Sequence, residues 1–142
     1  MCGKESKQRM NQYNFYLIVY QISDSINLTI GKLGDFELPK GYYLYIGRDK
    51  RNIRSRVSRH IAHKKKLRWH IDYLSQNATP ILMRLLPYRL DELSECDIAE
   101  KFIQQGAQVI VPGFGASDCN CFSHLLHFEN FQDLTRLIDE MF

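Results

Sequence analysis

Long apolar runs are missing from this sequence of 142 residues. The apolar stretches at residues 15–20 and 81–86 end well before the roughly 18 residues that a membrane-spanning helix needs. Residues 1–12 are polar and charged and lack the apolar core of a secretory signal. We therefore expect no membrane association, a flexible N-terminal tail over residues 1–12, and a single domain over residues 13–142.

Cysteine is also scarce, with four residues in the chain. Cys2 and Cys96 are scattered, and Cys119 and Cys121 are too close in sequence to bridge each other without strain. This usage is typical of a reducing compartment. We expect the protein to be cytoplasmic.

Acidic residues are nearly absent between positions 48 and 68. Ten of the 19 lysines and arginines lie there with Asp49 as the one acid, so the segment carries +9 and the rest of the chain −6. Such segregation favours a polyanionic partner, because basic residues that neutralise phosphates release counterions. The alternative is a solvated helix face. The predicted nucleic-acid contacts are Arg48, Lys50, Arg51, Arg59, His63, Lys64, Lys65, Lys66 and Arg68.

The hydrophobic periodicity predicts an α+β fold. Strand patterns cover residues 13–23, 26–30, 43–46, 79–86, 109–111 and 123–128. Helical patterns begin near Asn52 and also cover residues 67–74, 91–104 and 131–141. Because the first three strands are close in sequence, we expect an antiparallel meander within a small, mainly antiparallel mixed sheet flanked by helices.

A short aromatic strand ending in Tyr45-Ile46-Gly47 leads directly into the basic helix. On that helix, Arg56, His60 and His63 fall along one edge of the apolar stripe, where their polar ends can face a groove. Tyrosine, arginine and histidine side chains would then lie close together. Their combination is suited to phosphodiester chemistry, in which an arginine can stabilise charge on phosphoryl oxygens.

Glu95 projects into the apolar face of the helix predicted over residues 91–104. A carboxylate in that position is costly unless it is paired or holds a cation. One interpretation is a salt bridge to an arginine of the basic helix. The other is a ligand for a divalent metal, and the sequence pattern leaves both open.

A second candidate site is a cluster of soft metal ligands near the C-terminal end of the sequence. Cys119, Cys121 and His124 lie beside Asp118 and could hold zinc if another histidine, such as His70, completed the set. The spacing is not that of a zinc finger. We favour the alternative of a tightly turned loop whose small side chains pack near the site.

Tyr45-Ile46-Gly47 followed by Arg56-Val57-Ser58-Arg59-His60 resembles the second half of the signature of the GIY-YIG nuclease superfamily, and Asn14-Phe15-Tyr16 stands where the first half would be. The chain is more specifically similar to the DUF-123 branch of that superfamily. The matching stretches, which span most of residues 13–128, are LPKGYYLYIG, RWHIDYL, SECDIAE and FGASDCNCFSHL.

The resemblance implies a small mixed sheet flanked by helices and a phosphodiesterase site with one metal ion. Tyr16 and Tyr45 would bind or activate water, Arg56 would stabilise the transition state, and Glu95 would hold Mg²⁺ or Mn²⁺. His60 would contact phosphate or assist proton transfer. Members of the branch resemble accessory domains found with DNA-repair glycosylases, which favours DNA as substrate and a DNA-repair protein as partner.

Three functions follow as hypotheses. The first is a metal-dependent endonuclease that cleaves DNA. The second is a DNA- or RNA-binding module of the same fold without catalysis. The third is a structural domain stabilised by zinc.

Overall fold

The computed structural model describes residues 14–48, 70–86, 94–115 and 122–142. The strands are β1 (Phe15–Ile22), β2 (Ile26–Ile30), β3 (Gly34–Leu38), β4 (Gly41–Arg48), β5 (Thr79–Leu86) and β6 (Leu125–Phe128). The described helices are α1 (His70–Ser75), α2 (Glu95–Gln104) and α3 (Phe131–Met141).

The strands form two antiparallel sheets. The larger sheet has the order β5-β1-β4-β6, and β2 pairs with β3 in the smaller one. Helices pack against the larger sheet, so the predicted α+β fold with an antiparallel sheet flanked by helices is confirmed. None of the helices in the described segments is long and apolar enough to cross a membrane.

Strand β1 is the centre of the hydrophobic core. Its residues from Phe15 to Tyr20 are all fully buried. Because side chains alternate across a strand, Tyr16 and Ile18 join the core under α1 and the β2–β3 hairpin, whereas Leu17 joins the core under α2 and α3. A near-continuous apolar sequence is what a strand buried on both faces requires.

The meander prediction is wrong in its connectivity, because β2 does not lie between β1 and β4. Strand β2 instead pairs with β3, which the sequence interpretation missed by treating Gly31 and Gly34 as simple breaks. These glycines have φ angles of 46° and 109°; Gly31 begins a short 3-10 helix (Gly31–Leu33), and Gly34 follows it. The segment after Gly34 then alternates exposed and partly buried residues, as a hairpin strand does.

Two further predictions need correction. The strand expected over residues 109–111 is absent from the described segment around it, where one isolated bridge joins Gln108 to His127. The last strand begins at Leu125 rather than at residue 123. The helix predicted from Asn52 and the N-terminal tail lie outside the described residues.

Helix α2 begins at Glu95, later than the predicted residue 91, because Ser94 caps it. The Ser94 hydroxyl accepts a hydrogen bond from the Asp97 backbone N–H (3.2 Å), and the Asp97 carboxylate accepts one from the Ser94 N–H (2.9 Å). This reciprocal pair is a capping box. The same hydrogen bonds hold the pKa of Asp97 below its usual range. The cap places Glu95 in the first turn of the helix.

Gly47, near the end of β4, lies directly opposite Tyr16 of β1. A Cβ atom at Gly47 would overlap the Tyr16 ring, with Cζ and the hydroxyl oxygen as its nearest atoms. The close approach of the ring to the backbone therefore requires glycine for steric reasons. It also determines where Tyr16 lies on the sheet.

We expect Gly47→Ala to destabilise the protein by about 1–3 kcal/mol, the usual cost of overpacking. In a Tyr16→Leu background the same substitution should cost much less, because the ring that it overlaps is gone. Chemical denaturation of the four proteins of this double-mutant cycle measures the coupling. Equal costs in both backgrounds would contradict the steric explanation.

Candidate functional site

Tyr16 and Tyr45 come together on the adjacent strands β1 and β4. Their ring centroids are 6.2 Å apart at an interplanar angle of 53°. Tyr16 is fully buried, and Tyr45 is 9% exposed. Phe114 packs edge-on against Tyr45 at 6.1 Å. The tyrosine pair is thus set in an apolar wall, with Tyr45 nearer to solvent.

A carboxylate lies near this wall. Asp72 of α1 is fully buried, and its charge, together with Tyr45, adds to the effect of burial in raising the pKa of Tyr20. Asp72 was not among the site residues predicted from the sequence. The sequence offered one signal for it: Asp72 follows Ile71 in a helix predicted to pack on the core, where a charged residue is unusual.

Among the described residues, the Glu95 carboxylate lies close to the side chains of Arg48 and His124. Its Oε1 lies 2.8 Å from Nε of Arg48, and its Oε2 lies 3.0 Å from Nδ1 of His124. The Glu95 side chain is 15% exposed, and that of Arg48 is 44% exposed. Glu95 therefore forms a salt bridge, and its guanidinium partner among the described residues is Arg48 at the end of β4. The arginines of the predicted basic helix lie outside the described residues.

The tyrosine pair and Glu95 belong to opposite faces of the sheet. Tyr45 faces the core under α1, whereas Ile46 and helix α2 share the other core. Because side chains alternate along a strand, Arg48 lies on the same face of β4 as Ile46. Arg48 contacts Glu95 on that face, the one covered by α2. Along β4, Ile46 and Gly47 separate Tyr45 from Arg48.

His124 is held in place by backbone hydrogen bonds. Its N–H donates to the Phe114 carbonyl (2.8 Å), and its carbonyl accepts from the Ile46 N–H (2.9 Å). The residue is 2% exposed. Its Nε2 lies 3.8 Å from Sγ of Cys96, the residue that follows Glu95. One imidazole ring therefore connects the carboxylate to a sulfur atom.

Cys96 is disulfide-bonded. Its bonding partner lies outside the described residues. So do Asp118, Cys119 and Cys121 of the predicted zinc cluster. Sequence spacing predicted neither the disulfide nor the approach of Cys96 to His124. The only available signal was the position of Cys96 beside Glu95 in the helix.

His70 packs on the side of the tyrosine pair, and Gly115, to which it is hydrogen-bonded, also lies beside the His124 ring. The His70 ring lies 5.7 Å from that of Phe114, which also contacts Tyr45. Its Nδ1 accepts a 2.8 Å hydrogen bond from the Gly115 N–H. Burial lowers the pKa of His70, and the hydrogen bond itself requires an unprotonated Nδ1.

Most of the predicted nucleic-acid contacts cannot be placed. Arg48 is described, and the segment that carries the others lies outside the described residues, as do Arg56 and His60. In the four described segments, no three histidine, cysteine or acidic side chains form a group suited to a metal ion. We call the cluster of Glu95, Arg48 and His124 the polar centre.

His70 should make stability depend on pH. Because its folded-state pKa is lowered from 6.5, its contribution is present above the unfolded-state pKa and is lost as the pH falls through the folded-state pKa. In His70→Asn, the amide oxygen can still accept from Gly115 but does not titrate. Urea denaturation at several pH values below 6.5 should show a steeper loss of stability in the wild type, and parallel curves would contradict this.

Comparison with known proteins gives one match. Residues 15–142 match the family described as "Domain of unknown function DUF123". Searches of curated proteins and of solved structures found no similar protein. Since the match covers nearly the whole chain and includes both tyrosines, Glu95 and His124, the protein belongs to the DUF123 family.

Proposed function

We propose that this protein is a metal-dependent endonuclease that cleaves phosphodiester bonds in DNA. The observation that carries the proposal is the largely buried Glu95 carboxylate, which lies between His124 and Arg48, the last residue of the strand that contains Tyr45-Ile46-Gly47. A carboxylate and a guanidinium at the end of a tyrosine-bearing strand resemble the site expected of a GIY-YIG nuclease.

The residues present fit a single Mg²⁺ or Mn²⁺ ion. Among the described residues, each Glu95 oxygen has one close neighbour, and a carboxylate offers about four lone-pair positions that a cation could share. Mg²⁺ is commonly held by one or two carboxylates with waters and substrate phosphates. When bound, the metal would polarise a phosphoryl oxygen and stabilise developing charge.

The other groups have roles that follow from their positions. Arg48 orients Glu95, and its partly exposed guanidinium can also face a phosphate. Tyr45, the more exposed of the tyrosine pair, would contact the attacking water, with Tyr16 supporting it from the core. Arg56 would stabilise the transition state, and His60 would contact phosphate. The basic residues between positions 48 and 68 would bind the DNA backbone.

A DNA- or RNA-binding module without catalysis is the second candidate. It is favoured by the pairing of both Glu95 oxygens within the protein and by the complete burial of Tyr16. In that case Glu95 is structural, and the basic segment supplies the function. Under either proposal we place the protein in the cytoplasm with a DNA-repair protein as partner, and catalysis separates the two.

We expect Glu95→Gln to keep its affinity for DNA and to lose cleavage by about 10²–10³-fold, the usual cost of removing one well-placed electrostatic group. Glu100→Gln is the matched control, because Glu100 lies on the exposed side of the same helix. Cleavage of labelled duplex DNA with Mg²⁺ or Mn²⁺ measures the effect. Undiminished cleavage by Glu95→Gln would remove Glu95 from the catalytic role.

The substrate class is tested with single-stranded, duplex, flap and branched DNA and RNA, each with Mg²⁺ or Mn²⁺. We expect the wild type to cut DNA and Arg56→Ala to lose cutting, because the planar guanidinium that stabilises phosphoryl charge is gone. Binding should weaken with salt at a slope of about −0.9 per phosphate contacted in duplex DNA. Salt-sensitive binding without cutting of any substrate would favour the binding module.

A further inference from the structure

Phe122 carries an exposed aromatic ring. Its exposed fraction is 75%, and every other phenylalanine and tyrosine in the described segments is buried or partly buried. An exposed phenylalanine forgoes the hydrophobic stabilisation that burial would supply. Single exposed apolar side chains are common on protein surfaces, so the significance of this ring depends on what lies around it.

The backbone that carries the ring is fixed by hydrogen bonds. The Phe122 carbonyl accepts a 2.8 Å hydrogen bond from the Gly113 N–H. Two residues later, the His124 N–H donates to the Phe114 carbonyl (2.8 Å), and the His124 carbonyl accepts from the Ile46 N–H (2.9 Å). This short segment is therefore tied to the preceding loop on one side and to β4 on the other, and the ring is attached to it at a fixed position.

Phe122 lies beside the polar centre. Because two residues of chain span at most about 7 Å, the Cα atoms of Phe122 and His124 are no farther apart than that. Nδ1 of His124 lies 3.0 Å from Oε2 of Glu95, whose Oε1 lies 2.8 Å from Nε of Arg48. The Arg48 side chain is 44% exposed. An exposed aromatic residue and an exposed guanidinium therefore belong to the same small region of the surface.

Proteins that bind single-stranded nucleic acid combine these two groups. The cation attracts the phosphate backbone, and the aromatic ring stacks on the face of a base. In a duplex, each base is already covered by its neighbours in the stack, so a ring of the protein can stack only on a base that is unpaired or displaced. The exposed ring of Phe122 thus favours DNA with an unpaired base over continuous duplex.

We propose that Phe122 stacks on an unpaired base next to the phosphate that is bound at the polar centre. The inference rests on the proposed function, because it requires a DNA phosphate at Arg48. It adds the substrate class, which is single-stranded DNA or a flap or branch with an unpaired nucleotide at the site. Phe122 contacts the base and takes no part in the chemical step, so its role is to determine specificity.

The test compares Phe122→Leu, which keeps the apolar bulk without an aromatic face, with Phe122→Trp, which keeps the face. Fluorescence anisotropy of labelled oligo(dT) and of a labelled duplex, each titrated with the full chain without divalent metal, measures affinity. Phe122→Leu should weaken binding to oligo(dT) by roughly 5–150-fold, the usual effect of losing one stacked base, and should leave duplex binding unchanged. Phe122→Trp should bind oligo(dT) at least as tightly as the wild type. Met83→Leu, at an exposed apolar position of β5, is the matched control and should bind as the wild type does.

Tryptophan fluorescence then locates the contact. Trp69 is the only tryptophan of the chain, so quenching by oligo(dT) that is stronger in Phe122→Trp than in the wild type arises at position 122. Unchanged affinity of Phe122→Leu for oligo(dT), or no additional quenching in Phe122→Trp, would overturn the inference and leave the proposed endonuclease standing. Binding that depends on Phe122 without cleavage of any DNA would support the inference and contradict the endonuclease. A wild type that binds neither DNA would contradict both.

Discussion

The burial of β1 on both faces is the constraint on which the rest of the structure depends. Six consecutive residues of this strand are inaccessible to solvent, so both of its edges must be paired and both faces covered. Strands β4 and β5 satisfy the backbone groups. The helices α2 and α3 cover one face, and α1 with the β2–β3 hairpin covers the other. The tyrosine pair is a product of this arrangement, since Tyr16 can lie against β4 only where Gly47 leaves space.

The second constraint is electrostatic and arises at the end of β4. A carboxylate that is mostly buried loses hydration, and this cost must be offset by partners. Glu95 obtains them from Arg48 and from His124, which immediately precedes β6. The capping box of Ser94 and Asp97 places Glu95 in the first turn of α2, within reach of both. The polar centre therefore forms only when three separate elements are assembled.

His124 contacts two side chains of helix α2 through one ring. Its Nδ1 lies 3.0 Å from Oε2 of Glu95, the carboxylate proposed to hold a magnesium or manganese ion, and its Nε2 lies 3.8 Å from Sγ of Cys96. The ring therefore ties the first turn of α2 to the residue that precedes β6.

The sequence by itself determined the elements whose patterns are local. The apolar run of β1, the alternation of β2 and the amphipathic period of α3 each follow from the order of neighbouring residues, and an acid on an apolar helical face shows that Glu95 needs a partner. Strand β3 was missed because glycines can either end a strand or open a tight hairpin. Tertiary structure decided that Arg48 and His124 are the partners, that the tyrosine pair lies on the opposite face, and that Cys96 meets His124. These are contacts between residues far apart in the chain, and local periodicity carries no information about which distant groups will meet when the core closes.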